Sequence, residues 1–487
     1  MTANTFHAVV TTGIYCRDDC SARPNPGNVR VYAYAAAAEA DGFRACFRCR
    51  PYRSPGPEPW VEGSELVCRA VRLVLDGALD GGTEQQLAAR VGVSARHLRR
   101  MFQAQVGATP DEVARSRRAH FARRLLDETD LPITTIGFAA GFSSVRQMNR
   151  VMRETFHDAP RELRARRHRH DRLVADGGLD LRLAFRPPFA WDELITFLGQ
   201  RACPGVEHAT ADVYRRTIVL DGHPGVIELH RPEHEDHLRL RVHLGRWDGL
   251  IHVVHQARRM LDLDADPDPI GARLVSDDLL APSVRACPGM RVPGAWDAFE
   301  VAVRVVLGQQ VSVSAATTLA GRLVTRFGTP VAGLAAFGLT HTFPDAATLA
   351  TVDGREIGLT NARAAALSNL AGAVADGDVV LDGARGLDET LVALQAVPGV
   401  GPWTAQCIAM RACGERDAFP AGDLGLRRGA SGGGPLLSPA ALDARAESWR
   451  PWRAYAAAHL WRLAGAGHRR AMRSGRHGAE EVVGVPG

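Results

Sequence analysis

Four cysteines near the amino terminus constrain this chain more tightly than any other feature. Three residues separate Cys16 from Cys20, two separate Cys46 from Cys49, and 25 lie between the pairs. Thiolates in such short pairs suit tetrahedral Zn(II), because each pair spans one edge of the tetrahedron from a single loop. Ligation of this kind contributes on the order of 10 kcal/mol to folding, which a small unit without a large core needs. On spacing alone, a purely structural clamp is the simpler reading. The chain has nine cysteines, and an odd number argues against a disulfide framework. No apolar run reaches the ~18 residues that cross a bilayer, and no basic-then-apolar leader precedes the cysteines. A cytoplasmic location, reduced thiols and no membrane partner are therefore expected.

At 487 residues the chain exceeds one fold unit, and about three or four domains are expected. Prolines 55, 57 and 59 mark a linker over 54–62, and Gly177 and Gly178 mark another over 171–180. Apolar spacing of three and four predicts helices over 66–75, 84–91, 95–106, 111–127, 296–327 and 387–397. Strand alternation is confined to 29–35 and to 217–220, 226–230 and 237–243. Residues 429–434 read as a glycine-rich surface loop, and 465–487 lack apolar periodicity and read as a disordered tail. The fold class is α+β, a predominantly helical multidomain chain.

All 59 basic side chains are arginine, against 54 Asp and Glu. Without lysine there can be no Walker-type phosphate loop, no cofactor Schiff base on a lysine and no catalytic lysine imine, because each needs a primary amine on a flexible stem. The positive charge is uneven: residues 91–170 hold 16 Arg against 8 acidic residues, whereas the whole chain is only +5. That segment is the expected polyanion footprint.

Around the cysteines, Thr11-Thr12-Gly13-Ile14-Tyr15-Cys16-Arg17 and Gly42-Phe43-Arg44-Ala45-Cys46-Phe47-Arg48-Cys49 resemble the amino-terminal domain of Ada-type adaptive-response proteins. The resemblance implies a zinc domain over 1–56, with Cys16 accepting a methyl group from a DNA methylphosphotriester. It also implies that Cys20, Cys46 and Cys49 complete the zinc site and that Arg23 contacts phosphate. Four thiolates on Zn(II) carry about −2, which keeps Cys16 nucleophilic while repelling phosphate; methylation leaves about −1 and strengthens DNA binding. Only fifteen residues precede Cys16, fewer than the family usually has, which leaves two readings: an edge element is missing, or the start codon is misassigned.

Two helix-turn-helix patterns follow. Residues 84–102 place Ser94 before a helix that turns Arg96, His97, Arg99 and Arg100 outward. Residues 133–150 repeat the pattern with Ser143 as the cap, presenting Val145, Arg146, Gln147 and Asn149 to base edges. One such unit is a weak signal. Two units, an intervening helix and the local charge together resemble the AraC-type regulator domain over 64–168, in which both recognition helices enter the major groove.

In the second half, Val397-Pro398-Gly399-Val400-Gly401-Pro402-Trp403 reads as a helix-hairpin-helix turn, where glycines let Gly399, Val400 and Gly401 approach a phosphate closely. Asp423 follows, then Trp449-Arg450-Pro451-Trp452 and Trp461, with Arg186-Pro187-Pro188-Phe189-Ala190-Trp191 and Leu307-Gly308-Gln309-Gln310-Val311-Ser312 upstream. This order resembles the AlkA-type 3-methyladenine DNA glycosylase II, with an α+β domain over 180–289 and a helix-hairpin-helix domain over 290–464. The resemblance implies Asp423 as the carboxylate beside the developing sugar cation and Trp403 and Trp461 as faces for the base. Gln310 falls where that family inserts an apolar leucine into the gap left by the flipped nucleotide. Trp403 stands where strand-cleaving relatives place lysine, so hydrolysis without strand cleavage is expected. Cys407 and Cys413 are too few for an iron-sulfur cluster.

The combined expectation is excision of alkylated purines such as 3-methyladenine, joined to a zinc-cysteine sensor that activates repair genes. Zn(II) is the expected cofactor; double-stranded DNA, damaged or promoter, and RNA polymerase are the expected partners. No Pro-Cys-His-Arg segment is present, so reversal of O6-methylguanine is not expected. The alternative is a regulator whose glycosylase half only binds damage.

Overall fold

The computed structural model describes residues 5–55, 64–168, 171–173 and 177–465. The tail read as disordered lies outside them apart from residue 465, as does most of the first linker. The cysteine unit is a four-stranded sheet in the spatial order Val29–Tyr32, Phe6–Val9, Ile14–Arg17, Arg44–Ala45. Only Val29–Tyr32 was legible beforehand, and it stops short of residue 35 because Ala35–Ala40 turns helical. The other strands have four residues or fewer, too short for alternation to register. Tyr15 is fully buried, packs edge-on against Phe6 at 5.6 Å and donates its hydroxyl to Glu39 at 2.6 Å.

The next unit is all-helical, and its sequence dictates where each helix starts. Thr83 and Thr109 each close a reciprocal capping box, with Gln86 and Glu112 respectively. The two pairs, Glu84–Arg90 with Ala95–Gln105 and Ile133–Ala139 with Val145–Phe156, flank the long helix Pro110–Glu128. The cap of Val145–Phe156 is Ser144, not Ser143 as the sequence suggested. Ser143 instead donates its backbone N–H and its hydroxyl to Gln147 Oε1, both at 3.0 Å.

A five-stranded antiparallel sheet comes next, in the order Leu179–Ala184, His237–His243, His223–His230, Val213–Leu220, Glu207–Ala209. Leu238, Leu240 and Val242 are fully buried while Arg239 and Arg241 turn away, the two-residue period of a half-covered sheet. A single cluster of buried side chains runs from Phe6 and Tyr15 through Phe121 and Leu126 to Leu240 and Trp296. The cysteine unit, the all-helical unit and the sheet therefore share a continuous apolar core.

The last unit is helical. The single helix expected over 296–327 is two, Ala298–Leu307 and Val313–Phe327, with Ser312 capping the second. Apolar residues on both sides of the break hide it from periodicity. Between them Gln310 takes a left-handed backbone, φ 56°. The hairpin helices are Leu387–Gln395 and Pro402–Arg411, followed by Leu424–Ser431, Pro439–Ala446 and a helix over 453–465.

Arg72, on the helix Glu65–Leu75, joins the first helical unit to the last. Its guanidinium is 7% exposed and donates to Gly383 O at 2.5 Å, Cys413 O at 3.2 Å and Glu415 Oε1 at 3.3 Å. Burial raises the Glu415 carboxyl while Arg72 opposes that rise. Removing one partner of a buried pair costs about 3–5 kcal/mol. Arg72→Met is expected to lower the denaturation midpoint accordingly, and an unchanged midpoint in chemical denaturation would show that the clasp contributes nothing.

Candidate active site and DNA-binding surfaces

Asp423 caps the helix Leu424–Ser431, its Oδ1 accepting from Leu426 N at 3.0 Å. The same oxygen accepts from the Trp461 indole Nε1 at 3.0 Å, and Oδ2 accepts from Trp403 Nε1 at 3.1 Å. Three donors from three segments hold the carboxylate in one orientation, and both tryptophans meet it by their N–H edges. Gly425 makes this possible, because a Cβ there would lie 3.0 Å from Asp423 Oδ1 and 3.1 Å from the Trp461 ring.

Beside the carboxylate is a cavity of about 210 Å³, mostly apolar, walled by Trp403, Trp461, Phe197, Val305, Cys407 and three arginines, Arg201, Arg304 and Arg411. Phe197 lies 6.0 Å from Trp461, ring to ring. Phe197 and Arg201 were not foreseen, since they come from the preceding unit, and Arg411 gave no motif. The cavity opens onto a groove of about 1300 Å³ that reaches Gln310, Gly399, Gly401 and Arg428.

The hairpin turn is tightly specified. Gly399 has φ 93°, and a Cβ on it would come within 2.5 Å of the Ala366 methyl. Val400 is 5% exposed and its N–H closes the turn on Val397 O at 3.0 Å, so it contributes a packed side chain and no free donor. The N–H groups of Gly399 and Gly401 have no protein acceptor among the described residues. Gln309, which the sequence reading passed over, ties the break at 308–312 to the hairpin: its Nε2 donates to Gly399 O at 2.9 Å and Thr404 Oγ1 at 3.0 Å. Gln310 itself is exposed at the groove, next to exposed Val311 and Val313.

In the first unit the sulfur atoms of Cys16, Cys20, Cys46 and Cys49 all lie within 4.8 Å of one another. Four thiolates at ~2.3 Å from a common centre fit that spacing, so the residues present suit Zn(II). Cys46 accepts from Arg48 N at 3.4 Å and Cys49 from Arg17 N at 3.5 Å. Cys16 sits mid-strand opposite His7 and is 7% exposed. Arg23 is exposed and donates to Cys20 O at 2.8 Å, on the loop that carries the second ligand.

On the helix Ala95–Gln105 Arg96, Arg99 and Arg100 are exposed; Arg99 pairs with Glu84 at 2.5 Å and Arg100 contacts His97 Nδ1 at 3.1 Å. On the helix Val145–Phe156 Arg146 is exposed, while Asn149 donates to Val145 O at 2.9 Å and Gln147 holds Ser143. Among the described residues no helix is long and apolar enough to cross a membrane.

Four family models match in sequence. They are the metal binding domain of Ada over 1–52, a helix-turn-helix domain over 87–166, the AlkA N-terminal domain over 180–297, and the HhH-GPD superfamily base excision DNA repair protein over 303–454. The chain is 44% identical over 457 residues to the probable bifunctional transcriptional activator/DNA repair enzyme AlkA of Mycobacterium tuberculosis, covering 93% of this chain and 92% of that protein. It is 30% identical over 282 residues to DNA-3-methyladenine glycosylase 2 of Escherichia coli, covering 57% of this chain and 95% of the relative. Over 158 residues it is 34% identical to the bifunctional transcriptional activator/DNA repair enzyme Ada of Escherichia coli, covering 32% of this chain and 43% of that protein. Among solved structures, the 3-methyladenine DNA-glycosylase from Archaeoglobus fulgidus aligns with TM-score 0.51 and 24% identity, over 58% of this chain and 97% of that one, a likeness of fold.

Proposed function

The chain belongs to the family of AlkA-type bifunctional transcriptional activators and DNA repair enzymes, and from that premise we propose a division of labour among its residues. The second half excises alkylated purines such as 3-methyladenine from double-stranded DNA by hydrolysis. The observation that carries this reading is the Asp423 carboxylate, held by two indoles and a helix N-terminus at the wall of a cavity that opens onto the hairpin groove.

Gly399 and Gly401 offer backbone N–H groups to a phosphate, and Gln310 enters the space left when the nucleotide turns into the cavity. The bond from C1′ to the purine breaks and its electron pair leaves with the base, which for a cationic alkylpurine departs neutral. Asp423 faces the positive charge that grows on the sugar, an attraction stronger in the transition state than before it. Water adds to C1′ and loses a proton, leaving an abasic site. Trp403 and Trp461 flank the carboxylate and the cavity, so a base there meets aromatic surface.

In the first half Cys16 attacks the methyl carbon of a methylphosphotriester; the S–C bond forms, the C–O bond breaks, and the phosphodiester leaves with its negative charge. Cys16, Cys20, Cys46 and Cys49 would hold Zn(II), which when bound would keep the four sulfurs ionised. Cys46 and Cys49 each accept a backbone N–H, whereas no such bond reaches Cys16 among the described residues, which leaves its lone pairs the more available. Arg23 is placed to meet the phosphate. Arg96, Arg99, Arg100, Arg146, Gln147 and Asn149 read or hold promoter DNA, with Asn149 first releasing Val145 O. RNA polymerase is the partner an activator must engage, and the cytoplasm is where DNA and reduced thiols coexist.

Purified protein incubated with methylated duplex is expected to release free 3-methyladenine and leave an abasic site on an unbroken strand. Damage-specific binding without release would reduce the second half to a binding module. A second arm uses Arg146→Ala with Gln147→Ala: promoter affinity should fall about tenfold or more, at ~1–3 kcal/mol per lost base contact, with excision unchanged. Unchanged footprints would remove the second recognition helix from the reading.

A further inference from the structure

Arg72 grips the hairpin at the end farthest from its turn. The two hairpin helices have nine and ten residues, so the segments just before the first and just after the second meet about 14 Å behind the turn at 396–401. One guanidinium joins them: it donates to Gly383 O ahead of the first helix, and to Cys413 O, Gly414 O and Glu415 Oε1 beyond the second. The approach is close. Gly383 has φ 68°, and a Cβ on it would lie 2.6 Å from Arg72 Nη2 and 2.8 Å from Cys413 O.

The segment leading into the hairpin is also built into the first helix-turn-helix unit. Arg90, the last residue of the helix Glu84–Arg90, pairs with Asp382 at 2.8 Å, and the other oxygen of Asp382 accepts from Ala384 N at 2.7 Å. Ala384 is 4% exposed and belongs to the apolar cluster of Val67, Val71 and Leu87. Leu98 and Phe102 of the recognition helix Ala95–Gln105 are in the same cluster.

Capture of a phosphate by the N–H groups of Gly399 and Gly401 requires the turn to stand in one place. A hairpin free at its rear holds that place for only a fraction of the time. Its apparent Kd for DNA rises by the inverse of that fraction, while the complex, once formed, reacts at the same rate. At the front, Gln309 on Gly399 O and Asp423 on Trp403 define the arrangement that the bound hairpin regains.

We infer that the first helix-turn-helix unit is the rear support of the hairpin, with Arg72 and Asp382 as positioning residues, so that the regulatory half sets how tightly the excision half takes up damaged DNA. The inference rests on the excision reading above and adds a dependence between the two halves.

The test uses the full chain on methylated duplex, at a temperature where every variant is folded, and combines binding isotherms with single-turnover release over a range of protein concentrations. Arg72→Met is expected to raise Kd and the half-saturating concentration about fivefold or more, with the saturated rate within about twofold of wild type. The slope of log Kd against log salt should stay the same, because no phosphate contact is lost; a slope shallower by about 0.9 would make Arg72 a phosphate contact and overturn the inference. Arg72→Lys should recover part of the affinity. Asp382→Ala, which leaves the buried clasp intact, should raise Kd about two- to threefold, and with Arg72→Lys it carries the test if Arg72→Met does not fold. A loss confined to the active fraction, seen in the amplitude of release, would make Arg72 a support of the fold alone and overturn the inference, as would a slower saturated rate at unchanged Kd. If the wild type binds the duplex but releases no base, the excision reading falls, and the support is judged on Kd alone: equal Kd for wild type and variants overturns it.

Discussion

Asp423→Asn is expected to slow release of 3-methyladenine roughly a thousandfold while leaving the fold and DNA binding in place. A carboxylate at ~4 Å from the sugar cation, in surroundings of effective dielectric ~20, contributes about 4 kcal/mol, which is a factor of about a thousand in rate. Asparagine caps a helix about as well as aspartate, so Leu424–Ser431 keeps its start. One amide oxygen can still accept from Leu426 and Trp461, as Oδ1 does now. The amide nitrogen then faces the Trp403 N–H, which loses its acceptor. The measurement is single-turnover base release beside a binding isotherm on the same duplex. Equal rates for mutant and wild type would take the carboxylate out of the chemistry, however well it is placed.

The second large effect is at Cys16. Cys16→Ala is expected to abolish methyl uptake from methylphosphotriester DNA, since no other atom of the cluster replaces that sulfur. Cutting after arginine isolates the answer: residues 1–17 form one fragment, and Cys16 is its only cysteine. The wild-type fragment should gain a methyl group after exposure to the triester, and the fragment carrying Cys20 should not. A methyl group found on Cys46 or Cys49 would reassign the acceptor. Methylation should also raise affinity for undamaged DNA and weaken its dependence on salt, because the cluster repels phosphate less at about −1 than at about −2.

Helix starts after Thr83, Ser94 and Thr109 could be read because each cap announces its helix locally, by bonds within three residues, whereas the one after Ser312 was hidden in a continuous apolar pattern. The four cysteines and Asp423 were legible for the same reason, each belonging to a short motif. The cavity wall was not. Phe197 and Arg201 reach Asp423 from a helix of the preceding unit, and no spacing in the sequence encodes that approach. Gln309 looked like one more polar residue inside a long apolar pattern until the break at 308–312 turned it onto the hairpin. Ser143 and Ser144 are chemically alike as caps, and the pattern alone does not choose between them; Ser144 takes the cap and Ser143 is held by Gln147 Oε1. Short strands such as Phe6–Val9 form because partners and burial are supplied from elsewhere, which is context a local pattern lacks.

The contact between Gly399 and Ala366 sets a limit on how this chain can vary. The two residues already sit near the lower end of side-chain size, and any Cβ at 399 would come within 2.5 Å of the Ala366 methyl while holding φ 93°. Shrinking Ala366 to glycine removes the methyl but leaves the Cα of residue 366 at 3.0 Å and the left-handed backbone unchanged. No single substitution at 399, and no compensating change at 366, leads to another working hairpin, so lineages of this protein can diversify the cavity wall far more readily than the turn that brings DNA to it.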